Sequence, residues 1–302
     1  MEPASDQQVP AWLESLNIPG IADLHVHFMP DNVLRKVWQF FDAVDRPGVP
    51  PWSITYRTDE AERVRTLRGI GVKHFGTLNY AHRRGMAAWL NDYSTRFAAE
   101  HPEAIHSATF FPEPEVVEVV EQALEDGARL FKVHIQVGDF SPVDPLLDPV
   151  WQHLEKRGTP VVIHCGHGPN RGRFTGVEPV QELLQRHPEL TLVIAHAGLP
   201  DYASFFDLVR HYPNVHLDTT MVGTDYMESI APLPTDFPDH IAAIADRIVL
   251  GTDFPNIPYP YAHQLQVINR WGLGREALAD LLWHTPRQLV GLGDSEPSGT
   301  GT

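Results

Sequence analysis

Cysteine is almost absent from this chain of 302 residues: Cys165 stands alone, so no internal disulfide can form. At this length about three quarters of the unfolded surface is buried on folding, and no such staple is needed. Long apolar runs are also missing. Nothing approaches the ~18 apolar residues of a membrane span, and the first twenty residues carry acids and prolines where an export signal needs a basic and then an apolar stretch. Positive charge is scarce, with 23 Lys and Arg against 39 Asp and Glu and a net charge of −16, a field that repels phosphate backbones and anionic lipid. The expectation is a cytoplasmic protein whose partner is a small molecule, with no nucleic acid and no membrane, and with homo-oligomerisation left open.

Hydrophobic residues make up 42% and charged residues 21%, which excludes disorder as the main state. Short β-branched runs alternate with segments of helical period. Eight candidate strands begin at Ile21, Val72, Ile105, Ala128, Pro160, Thr191, Val215 and Arg247. The helices between them carry their own punctuation. Pro114 precedes the stripe Val116, Val117, Val120 and Leu124, which Gly127 ends; Pro149 opens a helix with Val150, Trp151 and Leu154 inward, which Gly158 stops. Eight βα units in about 270 residues predict an α/β fold, a single (β/α)8 TIM barrel with loop insertions at its C-terminal face. A doubly wound sheet is second, since no glycine-rich phosphate loop follows the first strand. The barrel is expected over residues 21–292, after an N-terminal extension (1–20) and before a disordered tail (293–302).

Three segments exceed the repeat: the Pro-rich stretch Asp45 to Thr58, Met221 to Pro238, and Phe254 to Tyr261. All leave C-terminal strand ends, where a barrel places its pocket, so they are expected as walls or lids. Trp52 and Tyr56 suit a pocket wall or a plain loop anchor equally. Trp12, Trp38, Trp89 and Trp283 fall in helical patterns and read as packing.

Histidines mark the strand ends: His25 and His27 on the first, His134 on the fourth, His164 on the fifth and His196 on the sixth, with Asp253 closing the eighth. Residues two apart on a strand point the same way, so His25 and His27 present both imidazoles to one side. One such pair is as readily a satisfied core feature. Four such residues at three strand ends make a divalent metal the stronger reading, held by His25, His27, His164 and Asp253 with room for water. A borderline cation suits these ligands, which names zinc first and manganese as the alternative. Alternation turns Cys165 outward, toward the helices.

The motifs Asp-Leu-His-Val-His (23–27), Phe-Lys-Val-His (131–134), Val-Ile-His-Cys-Gly (162–166), Ala-His-Ala-Gly (195–198) and Gly-Thr-Asp-Phe-Pro (251–255) together resemble the amidohydrolase superfamily. More narrowly they resemble its amidohydrolase-related (amidohydrolase 2) branch, which includes aminocarboxymuconate semialdehyde decarboxylase. The resemblance implies one metal on His25, His27, His164 and Asp253, with His196 and Asp253 as the catalytic acid/base groups. It departs at Thr285-Pro286, where the family has Asn-Ala. Lys132 lies near the position at which binuclear relatives carry a bridging carbamate, and is expected here as an unmodified lysine; with His134 it is a candidate for substrate or second-metal contact.

Water activated at such a metal would hydrolyse an amide, ester or lactone carbonyl. The same apparatus could decarboxylate an unsaturated or aromatic acid, and a barrel that binds a small molecule without turnover is a third reading. Arg171 and Arg173, after the fifth strand, could clamp a substrate carboxylate, although solvated loop charges or a pair with Glu178 explain them as well.

Overall fold

The computed structural model describes residues 2–44, 49–168 and 171–293. The alternating runs form nine parallel strands: β1 (Ile21–Asp23), β2 (Val72–Gly76), β3 (Ala104–Ile105), β4 (Ser107–Thr109), β5 (Leu130–His134), β6 (Val161–His164), β7 (Leu192–Ile194), β8 (Val215–Asp218) and β9 (Ile248–Val249). They pair in chain order, β1 to β3 and β4 to β9. The ninth strand arises because the expected third stave breaks at His106. There Thr77 N donates to Ser107 Oγ (3.0 Å) and Ser107 N to Thr77 Oγ1 (3.2 Å), so side-chain hydroxyls take bonds a backbone ladder would make.

The last stave returns to the first. Leu24 N donates to Leu250 O (3.0 Å), Asp253 N to His25 O (2.8 Å) and His27 N to Phe254 O (2.8 Å), and Val26 bridges Phe254 in parallel. This seam makes the sheet a (β/α)8 barrel.

Alternation along the staves divides two cores. Leu24, Leu130, Val162, Val193 and Val249 meet inside the barrel, while Phe131, Val133, Val161, Ile163 and Cys165 face the helix layer. Burying each of the larger of these contributes about 2 kcal/mol. The helices follow their punctuation. Asp148–Arg157 has Pro149 in its first turn, buries Val150, Trp151 and Leu154, and ends at Gly158 with φ +64°; Val116–Glu125 stops before Gly127, φ +97°. At the departure Thr285-Pro286, Pro286 has no N–H to give, and the chain before it widens into a π turn over Asp280–His284.

Residues before β1 form the helix Val9–Leu16, whose Val9, Trp12 and Leu13 join the outer core. Asp45 to Gly48 of the Pro-rich stretch, and Asp294 to Thr302 of the tail, lie outside the described residues. Trp12 and Trp283 are buried packing, and Trp38 is half-buried with its indole N–H on Asn256 Oδ1 (3.0 Å). Trp89 is not packing. The helix Ala87–Glu100 turns Ala87, Leu90, Asn91, Ser94 and Phe97 inward; Trp89 lies off that row, 42% exposed, on the wall of the central cavity. Among the described residues no helix is long and apolar enough to cross a membrane.

On β8, Val215 and Leu217 face the helices, which turns His216 and Asp218 inward. Burial pushes the His216 imidazole down to about 4, against its Asn214 carbonyl contact and with help from Arg247. The folded state therefore holds it neutral, and the stability this carries is full above the unfolded value near 6.5 and lost as pH falls toward 4. The shift corresponds to about 3 kcal/mol. Urea denaturation should show His216→Gln losing less stability than the wild type between pH 7.5 and 4.5; parallel pH profiles would contradict this.

Candidate active site

The seam that closes the barrel also assembles the site. Chain bending at Leu24, just past β1, lets His25 and His27 both look into the cavity at the C-terminal end of the staves. Asp253 is held opposite by the Asp253 N to His25 O bond, in left-handed backbone with φ +69°. Gly251 permits the close approach: a Cβ there would lie 2.8 Å from His25 Cβ and 3.0 Å from Asp218 Cγ.

One ligand atom each from His25, His27 and Asp253 falls within 4.8 Å of the others. His25 Nδ1 donates to Asp218 Oδ2 (2.7 Å), which leaves Nε2 with the lone pair, 3.5 Å from Asp253 Oδ1. His27 Nδ1 can only donate to the Leu78 carbonyl (2.9 Å), so its Nε2 and Asp253 Oδ1, 2.8 Å apart, meet as two acceptors when the ring is neutral. A shared cation satisfies both. Tetrahedral bonds of 2.0 to 2.1 Å set ligand atoms roughly 3.3 Å apart, close to the 2.8 and 3.5 Å found here, so these three residues could hold a metal.

Charge in the site follows burial and neighbours. Burial and Lys132 push His25 down to about 3, so its ring is neutral. Burial works against the charge on Asp218, yet His25, His196 and Lys132 bring its carboxyl down to about 2. Asp253 stays ionised in the same way: burial opposes its charge, and the His27 bond with the fields of His25 and His196 outweighs that. Lys132 is fully buried, its Nζ donating to His25 Nε2 (3.1 Å), and burial draws it down to about 8 against the pull of both carboxylates.

The other expected site residues are placed as follows. His164 lines the cavity, but its Nε2 faces the Gly168 carbonyl (3.0 Å) and its ring stacks on His134 at 3.8 Å, so it is not brought into the three-residue cluster. Burial holds both of these rings well below the usual histidine value. His196, φ +55°, lies with its ring 5.3 Å from that of His25. Its Nδ1 donates to the Thr220 carbonyl (3.2 Å), leaving Nε2 proton-free in the neutral ring, and burial favours that neutral form. Arg171 lines the cavity; Arg173 does not, its guanidinium lying 4.8 Å over the Phe174 ring. Trp52 is a wall and Tyr56 an anchor, buried with its hydroxyl on Asp6.

Two residues escaped the sequence reading. Asp218 sits where the strand Val215–Asp218 ends and reads as one more polar strand position. Its Oδ1 also accepts from His196 N (2.7 Å), so one carboxylate orients two site histidines. Asp23, the first letter of the first motif, accepts from Thr252 Oγ1 (2.6 Å), Tyr261 OH (2.9 Å) and His25 N (3.1 Å), and burial raises it to about 7. Its spacing to the histidines was the available signal. Tyr261 N in turn donates to the Tyr56 hydroxyl (2.6 Å), which ties this network to Asp6 before the barrel.

The cavity above the cluster measures about 1210 Å³, larger than the ~300 to 1,000 Å³ of an ordinary ligand pocket. Met221 to Pro238 gives Met221, Tyr226, Met227 and Ile230 to its wall, and the segment after β9 gives Asn256.

No protein of curated function matches the chain in sequence. Solved structures resemble it in fold. An uncharacterized TIM-barrel protein from Bordetella bronchiseptica is 16% identical with a TM-score of 0.69, covering 90% of this chain and 99% of that one. A protein assigned as a 2-pyrone-4,6-dicarboxylic acid hydrolase from Pseudomonas putida is 16% identical with a TM-score of 0.63, covering 92% and 99%. Dihydroorotase from Campylobacter jejuni is 15% identical with a TM-score of 0.53, covering 92% and 85%. The Amidohydrolase family model matches residues 22–292, from within β1, just before the paired histidines, to just past the last helix, and this chain belongs to that family.

Proposed function

We propose that this chain is a metal-dependent hydrolase of a carbonyl substrate, an amide, ester or lactone. The observation that carries this reading is the convergence of His25 Nε2, His27 Nε2 and Asp253 Oδ1 on one point at the floor of a large cavity. Family membership and the hydrolase names among its structural neighbours support it. A divalent ion held there, zinc before manganese, would supply Lewis acidity and make water a nucleophile near neutral pH. Asp218 keeps His25 in the tautomer that offers Nε2. His196 Nε2 accepts a hydrogen bond from the attacking water and orients it. Asp253 Oδ1 faces the two histidines, so Oδ2 takes the proton released as water adds to the carbonyl carbon and returns it to the leaving heteroatom as the old bond breaks. Lys132 remains an unmodified amine, and its Nζ would give up the His25 Nε2 lone pair when an ion is held there.

Metal analysis of the purified protein should find about one divalent ion per chain, lost in His25→Ala and retained more fully in His164→Ala, whose Nε2 is engaged by Gly168. Equal loss in both would make His164 a full ligand. Asp218→Asn should weaken zinc affinity about 10- to 100-fold in a competition titration, the usual worth of a carboxylate behind a ligating histidine; unchanged affinity would remove Asp218 from the site. His196→Asn should lower kcat by about 100-fold with metal content near wild type. A panel of lactones, amides and aromatic acids separates the reactions: a new acid group in the product supports hydrolysis, and release of CO2 would replace it with decarboxylation.

A further inference from the structure

Above the polar floor, the cavity wall has a composition that the reaction chemistry does not require. Leaving aside Met1, the chain has four methionines, Met29, Met86, Met221 and Met227, and all four line this chamber. Unbranched thioethers make a wall that is apolar and adaptable in shape. The helix Asp31–Asp42 adds a second wall. It buries only Leu34 in the protein, while Val33, Val37, Phe40 and Phe41, spaced three, four, seven and eight apart along one face, turn to the chamber. Phe40 is 54% and Trp89 42% exposed, and both stand at its opening. An amphipathic helix that shows its apolar face to a cavity is shaped for an apolar occupant.

The charges are as selective. In a chain with 39 acidic residues, Asp253 of the floor is the only acid lining the chamber among the described residues. Three exposed cations line it: Lys36 on the helix Asp31–Asp42, Arg83 after β2 and Arg171 after β6. Elsewhere Arg57 is held by Asp42, Arg84 by Glu115 and Arg270 by Glu2, while the exposed Arg129 and Arg275 rest on backbone carbonyls. Among the described residues none of these three chamber cations has an ion pair, and burial with the fields of Arg83 and Lys36 lowers the His82 imidazole below its usual value.

We propose that the substrate is an amphipathic organic acid, with a bulky apolar body seated against the methionines and the Asp31–Asp42 helix and an anionic group read at the chamber mouth by Lys36, Arg83 and Arg171. This rests on the hydrolase reading only in placing the reacting carbonyl at the floor; the binding itself needs neither metal nor turnover. The anion belongs at the mouth because the floor is already supplied with a carboxylate and the mouth with three cations that have no ion pair among the described residues. A small polar diacid would leave most of the apolar wall unused.

A matched pair of dyes tests this: 1-anilinonaphthalene-8-sulfonate carries the anion and N-phenyl-1-naphthylamine has the same body without it. Fluorescence titration of the full chain should give one site for each, with the sulfonate bound more tightly. The exposed double change Lys36→Gln with Arg83→Gln should raise the Kd of the sulfonate about tenfold or more and that of the neutral amine less than about twofold, charge reading being the only interaction removed. Val37→Asp, on the apolar face, should weaken both. Equal effects of the double change on the two dyes, or binding unaltered by Val37→Asp, would overturn the inference. Hydrolysis with charge-blind dye binding removes this inference and leaves the reaction standing; charge-dependent binding in a protein without hydrolysis does the reverse.

Discussion

The first strand lies between the second and the last, and the bonds that hold it there decide most of what this molecule is. Leu24, His25 and His27 reach across to Leu250, Asp253 and Phe254 through backbone alone. Those three bonds close the barrel, and the same three set two imidazoles against a carboxylate. Asp23 reinforces the seam from beneath with Thr252 and Tyr261. Fold and site therefore share one joint: anything that slips the register of the first stave separates the histidines from Asp253 as surely as it opens the sheet.

Much of this was legible because strand periodicity is a property of sequence. Alternation placed Cys165 among the helices, and strand ends placed the histidines at one mouth. What periodicity cannot carry is what a side chain finds across the barrel. Nothing in Val215–Asp218 reveals that Asp218 meets His25, 193 residues away. His164 ends its strand as expected, but a loop carbonyl four residues on takes its Nε2. The break at His106 comes from two hydroxyls on neighbouring staves, which no single strand discloses. Trp89 was misjudged for a simpler reason: a helical pattern identifies the helix, whereas the row a residue occupies decides whether it is buried.

The site and the chamber above it obey different electrostatics. At the floor, burial is severe enough that His25, His134, His164 and His196 all resist protonation, and two carboxylates stay charged because donors surround them. At the mouth the cations are solvated and the walls are apolar. Among the described residues the chamber is lined by one acid, at its floor, with cations above it, so a local field can oppose the sign of the whole molecule.

His196 and Asp253 share a backbone feature whose meaning is evolutionary. Both sit at positive φ, +55° and +69°, where an L-residue with a side chain carries roughly 1 to 2 kcal/mol of strain that glycine would not. The chain holds two side chains of the proposed site at positions that backbone energetics would give to glycine. Stability and activity are therefore in competition at these two residues, and selection for thermal tolerance alone would drift toward a firmer barrel with an emptied site.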